Sequence, residues 1–128
     1  MSRLSLVAAS LLILAEPAAA QPVGDAPRLI ASFPADGAVV PAGETVLSWT
    51  FDRSMKHDGW SVTGLAQTMP LLVGKPAFSP DGRTFRQTMR LAPGRSYDLG
   101  VNSTNHRNFR SAAGVPAQVR RVRFRTAL

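Results

Sequence analysis

Bulky apolar residues alternate with small or polar ones in four stretches of this chain. In Thr45–Phe51, Leu47, Trp49 and Phe51 share one parity, and Val46, Ser48 and Thr50 the other. In Thr84–Leu91, Phe85, Met89 and Leu91 oppose Thr84, Arg86, Thr88 and Arg90. Further on, Tyr97, Leu99 and Val101 oppose Asp98, Gly100 and Asn102. In Val119–Thr126, Val122 and Phe124 oppose Arg121, Arg123 and Arg125. Successive side chains of a strand point to opposite faces, so each stretch predicts a half-buried strand with its bulky set inward. Shorter pieces add to these. Leu29–Phe33 stops at Pro34, which cannot donate to a ladder, and this predicts an edge strand. Ala38–Pro41 is a brief extended piece. Trp60–Thr63 is a strand with Trp60 and Val62 inward, and Leu71–Val73 is one ending at Gly74.

Turn signals separate these runs: Pro34-Ala35-Asp36-Gly37, Ala42-Gly43, Pro80-Asp81-Gly82 and Pro93-Gly94. No segment carries sustained helical periodicity. The pattern predicts an all-β protein, an immunoglobulin-like Greek-key β-sandwich of seven or eight short strands. Trp49, Phe51, Tyr97, Leu99 and Phe124 are its expected shared core. Tyr97 follows the Pro93-Gly94 turn at a strand start. That is the setting of a tyrosine corner, in which the hydroxyl bonds backbone a few residues upstream. Ser103–Gln118 is different: polar, basic and without alternation. A connection that long in a compact domain is usually functional or mobile.

The N-terminus has its own pattern. Arg3 precedes the apolar run Leu4–Leu14, Pro17 breaks it, and Ala18-Ala19-Ala20 supplies small residues. This predicts a signal peptide over residues 1–20, cut after Ala20, and hence a periplasmic or secreted protein. The run is too short to span a bilayer, which takes ~20 apolar residues, so no transmembrane segment is expected after cleavage. A flexible lead over 21–28 and one domain over 29–128 follow, expected as a monomer. The chain has no cysteine, which excludes disulfides, thiolate metal sites and a lipoprotein anchor. The net charge of +7 favours anionic partners, either a protein or an anionic envelope component. Nucleic acid is not expected outside the cytoplasm. All but two of the basic residues, Lys56 and Lys75, are arginine. Base composition of the genome explains that bias as well as binding does.

Candidate chemistry is sparse. Nucleophilic hydrolysis needs a nucleophile, a base and an orienter, and only His57 and His106 are available as bases. Asp52 and Asp58 flank a loop but make a poor acid–base pair, and Asp52 reads better as a strand end bonded to the next turn. Phosphate-cradling glycine loops are absent. Asn102-Ser103-Thr104 has the form of a glycosylation sequon, but the signal and the fold suggest a bacterial protein, which discounts it. No enzymatic activity, cofactor or metal is therefore expected. The binding residues expected are His106, Arg107, Phe109 and Arg110 of the basic loop. Phe109 reads equally as an anchor pinning that loop.

From Leu29 to Thr126 the chain resembles bacterial Ig-like domains of the SbsA type. The matching pieces are FPADGA at Phe33–Ala38, LSWTFDRSM at Leu47–Met55, SPDGRTF at Ser79–Phe85, LAPGRSY at Leu91–Tyr97, AAG at Ala112–Gly114 and VRFRT at Val122–Thr126. The resemblance implies a β-sandwich that serves as a binding or structural module at the cell envelope, with no catalytic residues. The same outline is similar to exported copper carriers of the CopC type. That alternative implies a histidine at the mature N-terminus and an Asp-x-His pair. Here Gln21 and Asn105-His106 stand in those places, and copper(II) favours several nitrogen and oxygen ligands in a tetragonal array.

Overall fold

The structure, a computed structural model, describes residues 25–128. The expected signal, its cleavage after Ala20 and the start of the lead lie outside the described residues. Eight strands follow in order: β1 Leu29–Phe33, β2 Val39–Val40, β3 Gly43–Phe51, β4 Val62–Thr63, β5 Leu71–Phe78, β6 Thr84–Leu91, β7 Ser96–Val101 and β8 Arg120–Thr126. They form two four-stranded sheets, β1-β3-β6-β5 and β2-β8-β7-β4. The protein is an all-β sandwich. No helix among the described residues is long and apolar enough to cross a membrane.

The first sheet is built on β3 and β6, antiparallel from Gly43↔Leu91 to Thr50↔Thr84. In that register Trp49 sits opposite Phe85 on the inner face. β7 and β8 carry the second sheet, with Tyr97↔Phe124 and Leu99↔Val122 facing inward. β2 runs parallel to β8 through Val39↔Arg125 and Val40↔Thr126. The inward parities of both sheets meet in one cluster that includes Leu47, Trp49, Phe51, Phe85, Met89, Tyr97, Leu99, Val122 and Phe124, all buried. Tyr97 stacks on Phe124 at 5.4 Å, and its hydroxyl accepts from the Ala92 amide at 2.8 Å. Thr126 Oγ1 closes the same corner, donating to the Ala92 carbonyl at 2.6 Å and accepting from the Arg95 amide at 2.9 Å.

Two strands differ from their sequence pattern. β5 does not stop at Gly74 but continues to Phe78, with its register broken between Val73 and Ala77. Gly74 and Pro76 interrupt a ladder, but an outer strand tolerates them because one side of it has no ladder to lose. The strand expected from Trp60 shrinks to Val62–Thr63. Trp60 is half-buried and packs on Phe85 at 6.2 Å without joining the sheet. At the chain's start, Pro27 is buried and its carbonyl accepts from the Gln118 amide at 2.9 Å. The Arg28 amide donates to Asp52 at 3.1 Å, so the described end of the lead is tied to the sandwich.

Candidate functional site

The long connection from Ser103 to Gln118 is organised by the residue before it. Asn102 follows β7 with a φ of 59°, a left-handed conformation that Asn tolerates better than most residues. Strand parity had placed its side chain outward. The left-handed turn instead swings it into the interior, where it is fully buried. There Oδ1 accepts the Phe109 N–H at 2.9 Å, while Nδ2 donates to the carbonyls of Phe109 at 3.0 Å and Ala117 at 3.1 Å. A fully buried amide cannot accept a glycan, so the sequon at Asn102 is not an attachment site.

This lock divides the loop into two parts. Ser103–Asn108 is a tight polar turn, in which the Ser103 amide donates to the His106 carbonyl at 2.7 Å. The His106 amide donates to Ser103 Oγ at 3.2 Å. Beyond Phe109 the chain forms a closing arm. Arg110 bridges Pro116, Ser111 bridges Met55, and the Lys56 amide donates to the Arg110 carbonyl at 2.9 Å.

The four expected binding residues therefore part company. His106 and Arg107 are exposed on the turn, and Arg107 Nε donates to the Thr104 carbonyl at 3.0 Å. Phe109 is not at the surface: its exposure is 0%. Its ring lies 4.9 Å from Phe85, 5.5 Å from Phe51 and 5.9 Å from Trp49, in the middle of the aromatic core. The anchor role is the one it fills, and it cannot touch a partner. Arg110 is half-buried in the closing arm and donates to the Gly114 carbonyl at 3.4 Å.

Beside the turn, a cleft of about 470 Å³ opens between the sheets. His106 and Asn108 form one wall, Trp60, Val62 and Met69 line it, and Gln87 reaches it from β6. Ser61, largely buried, also lines the cleft and accepts the Asn108 amide at 3.0 Å. Sequence reasoning passed over Ser61, Gln87 and the buried position of Asn102. A signal existed for Gln87: it is a polar residue at the inward parity between Phe85 and Met89.

The charged groups are mostly committed to structure. Asp98 accepts from Arg121 Nε at 3.0 Å and Arg123 Nε at 3.2 Å, so the outer arginines of β8 are partly neutralised. Burial works to raise the Asp52 carboxyl. Hydrogen bonds from the Arg53 side chain and the Arg28 amide, with the Arg53 charge, outweigh it and hold Asp52 below the usual carboxylate value. The Ser79 hydroxyl and the Arg83 amide hold Asp81 low as well.

Ser103 Oγ lies 3.5 Å from His106 Nδ1. That separation exceeds a working O–H···N bond, and the oxygen already accepts the His106 amide, as the turn requires. His57 stacks on Phe78 at 5.4 Å. Among the described residues, no three His, Cys, Asp or Glu side chains converge as metal ligands.

No protein-family model matches the chain, and no curated protein does. Among solved structures, the crystal structure of the S-layer protein rSbsC is similar over 80% of this chain, with 17% identity and a TM-score of 0.49. The chain spans 14% of the length of that protein.

Proposed function

We propose that this chain is an exported, non-catalytic β-sandwich that acts as a binding or structural module at the bacterial cell envelope. Its contact surface is the Ser103–Asn108 turn and the cleft beneath it. The observation that carries this reading is the lock between Asn102 and Phe109, which ties down the turn carrying the exposed Arg107 and sets His106 at the mouth of a mixed polar and apolar cleft. Loops held rigidly at the end of a sandwich are where recognition is commonly placed. The apolar run and small residues before Gln21 support export. The +7 charge supports an anionic partner, reached with no cofactor.

The test is retention of the processed protein on cell-envelope fractions. His106→Ala with Arg107→Ala should weaken retention, and salt should weaken that of the unaltered protein, as for an electrostatic contact. Unchanged retention would remove the turn from the reading. A tight, stoichiometric Cu(II) site with d–d absorbance would replace it with copper carriage.

A further inference from the structure

We propose that the open seam between β4 and β5 is a docking groove for an extended, acidic segment of a partner protein. This deepens the binding-module reading and rests on it. β4 and β5 are the outer strands of opposite sheets, and each pairs on one side only, β4 with β7 and β5 with β6. Outer strands carry unpaired backbone groups that can pair with another chain.

Met69 lines the cleft beneath His106. Met69 also lines a second cleft, of about 630 Å³, with Leu71, Leu91 and Tyr97 in its wall and Arg90 and Arg95 beside them. The two clefts meet at Met69. Leu65, Leu71 and Leu72 are 68%, 61% and 38% exposed. Leu65 shares the turn of Met69, whose amide donates to the Leu65 carbonyl at 3.0 Å. Single exposed leucines are ordinary; a cluster of them around a groove marks a contact surface.

Gln87 points to the kind of occupant. Its exposure is 4%. Its Nε2 donates to the carbonyls of Val73, Gly74 and Thr88 at 3.0–3.1 Å, which fixes the orientation of the amide. Oε1 is then left as an acceptor, and no donor among the described residues reaches it. A buried acceptor without a partner is costly, and the N–H groups of a peptide would satisfy it.

Pro76 has no N–H to offer a new strand, and β5 is irregular between Val73 and Ala77, where its pairing with β6 shifts register. Strand addition is therefore confined to Leu71–Val73.

Charge settles the choice of occupant. Arg95 is held over Tyr97, 5.8 Å from the ring centroid, while donating to the Gln67 carbonyl at 3.1 Å. Arg90 is 3.9 Å from Glu44, and both side chains are exposed. Arg107 follows His106 on the exposed turn beside the first cleft. Guanidiniums beside both clefts favour carboxylates, and the net charge of +7 opposes a second copy of this chain.

The experiment is an NMR titration of the processed protein with a synthetic peptide of about ten residues, alternating leucine and threonine and flanked by glutamates. It should shift the Trp60 indole N–H, the Gln87 side-chain amide and the Leu71–Val73 amides. A lysine-flanked version should bind at least roughly tenfold more weakly. Leu72→Glu, and separately Arg90→Glu with Arg95→Glu, should each weaken the acidic peptide by roughly tenfold. Equal binding of both peptides, or no shift at those groups, overturns the proposal. So does tighter binding of an N-acetylglucosamine tetramer at the same groups. Envelope retention that depends on His106 and Arg107 while neither peptide binds would leave the module reading standing and remove the groove.

Discussion

Arg121 lies flat across Gly100, its guanidinium joining Asp98 on the same neighbouring strand to Thr63 on the next. Its Nε donates to Asp98 at 3.0 Å and its NH1 to Thr63 Oγ1 at 3.1 Å. A Cβ on Gly100 would lie 2.6 Å from Thr63 Oγ1 and 2.9 Å from Arg121 Cζ, and would collide with NH1. Glycine is needed here for space, so that a cation can cross a whole strand. Gly100→Ala should displace the guanidinium and cost about 1 kcal/mol or less, the range of a partly exposed ion pair. Arg121→Ala should cost a similar amount. The double variant should be little worse than either alone, because both remove one interaction. Urea unfolding of the three variants checks this, and additive losses would break the link between the two residues.

Asn102→Ala should be among the most damaging single changes to a polar residue. It leaves the Phe109 N–H and the carbonyls of Phe109 and Ala117 without their partner in the interior, where each orphaned group costs about 1–3 kcal/mol. It also puts alanine at a φ of 59°. Asn102→Gly should recover about 1 kcal/mol, the backbone share of the loss. The expected loss for Asn102→Ala is about 4 kcal/mol or more, read from denaturant midpoints. A loss under about 1 kcal/mol would mean the amide does not hold the loop.

Phe109→Ala should destabilise the protein as strongly as Phe51→Ala, by ~3–5 kcal/mol, because both rings sit in the same aromatic cluster. No disulfide is present to offset either loss. Arg107→Ala, two positions away but exposed, should change stability by no more than about 0.5 kcal/mol. Thermal melts of the three variants separate an anchor from a surface residue. A Phe109→Ala protein with a native melting temperature would return the ring to the surface.

The low-lying carboxyls Asp52 and Asp81 contribute to the acid side of the stability profile. Both are depressed in the folded chain relative to their ordinary value of 3.8. Folding then favours the ionised form, so their contribution is fully present above that value. It is lost as pH falls below it, through the folded values. Melting temperature should depend little on these two groups between pH 5 and 7, and drop below about pH 4. Asp52→Asn with Asp81→Asn should lower stability at pH 7 and flatten the drop. An unaltered acid slope in that variant would assign acid sensitivity to other groups.

Parity along the chain was enough to read β3, β6, β7 and β8 with their inward faces, because alternation is a local property of an extended backbone. The Tyr97 corner was legible for the same reason, since its turn and its ring are close in sequence. The outer strand β5 was read only in part. Gly74 and Pro76 look like stops to any local rule, and only a place at the sheet edge lets a strand run through them. Asn102 went the other way: parity placed it outward, and a left-handed turn carried it into the core. Phe109 stood between two meanings that no neighbour in sequence could separate. Its ring is buried because Trp49, Phe51 and Phe85, distant in the chain, leave a space its loop can reach. What was legible locally was thus the four alternating strands and which of their faces are wet. Tertiary packing alone decided what the polar loop buries and which groups it leaves at the surface, because burial in a loop depends on residues far away in the chain.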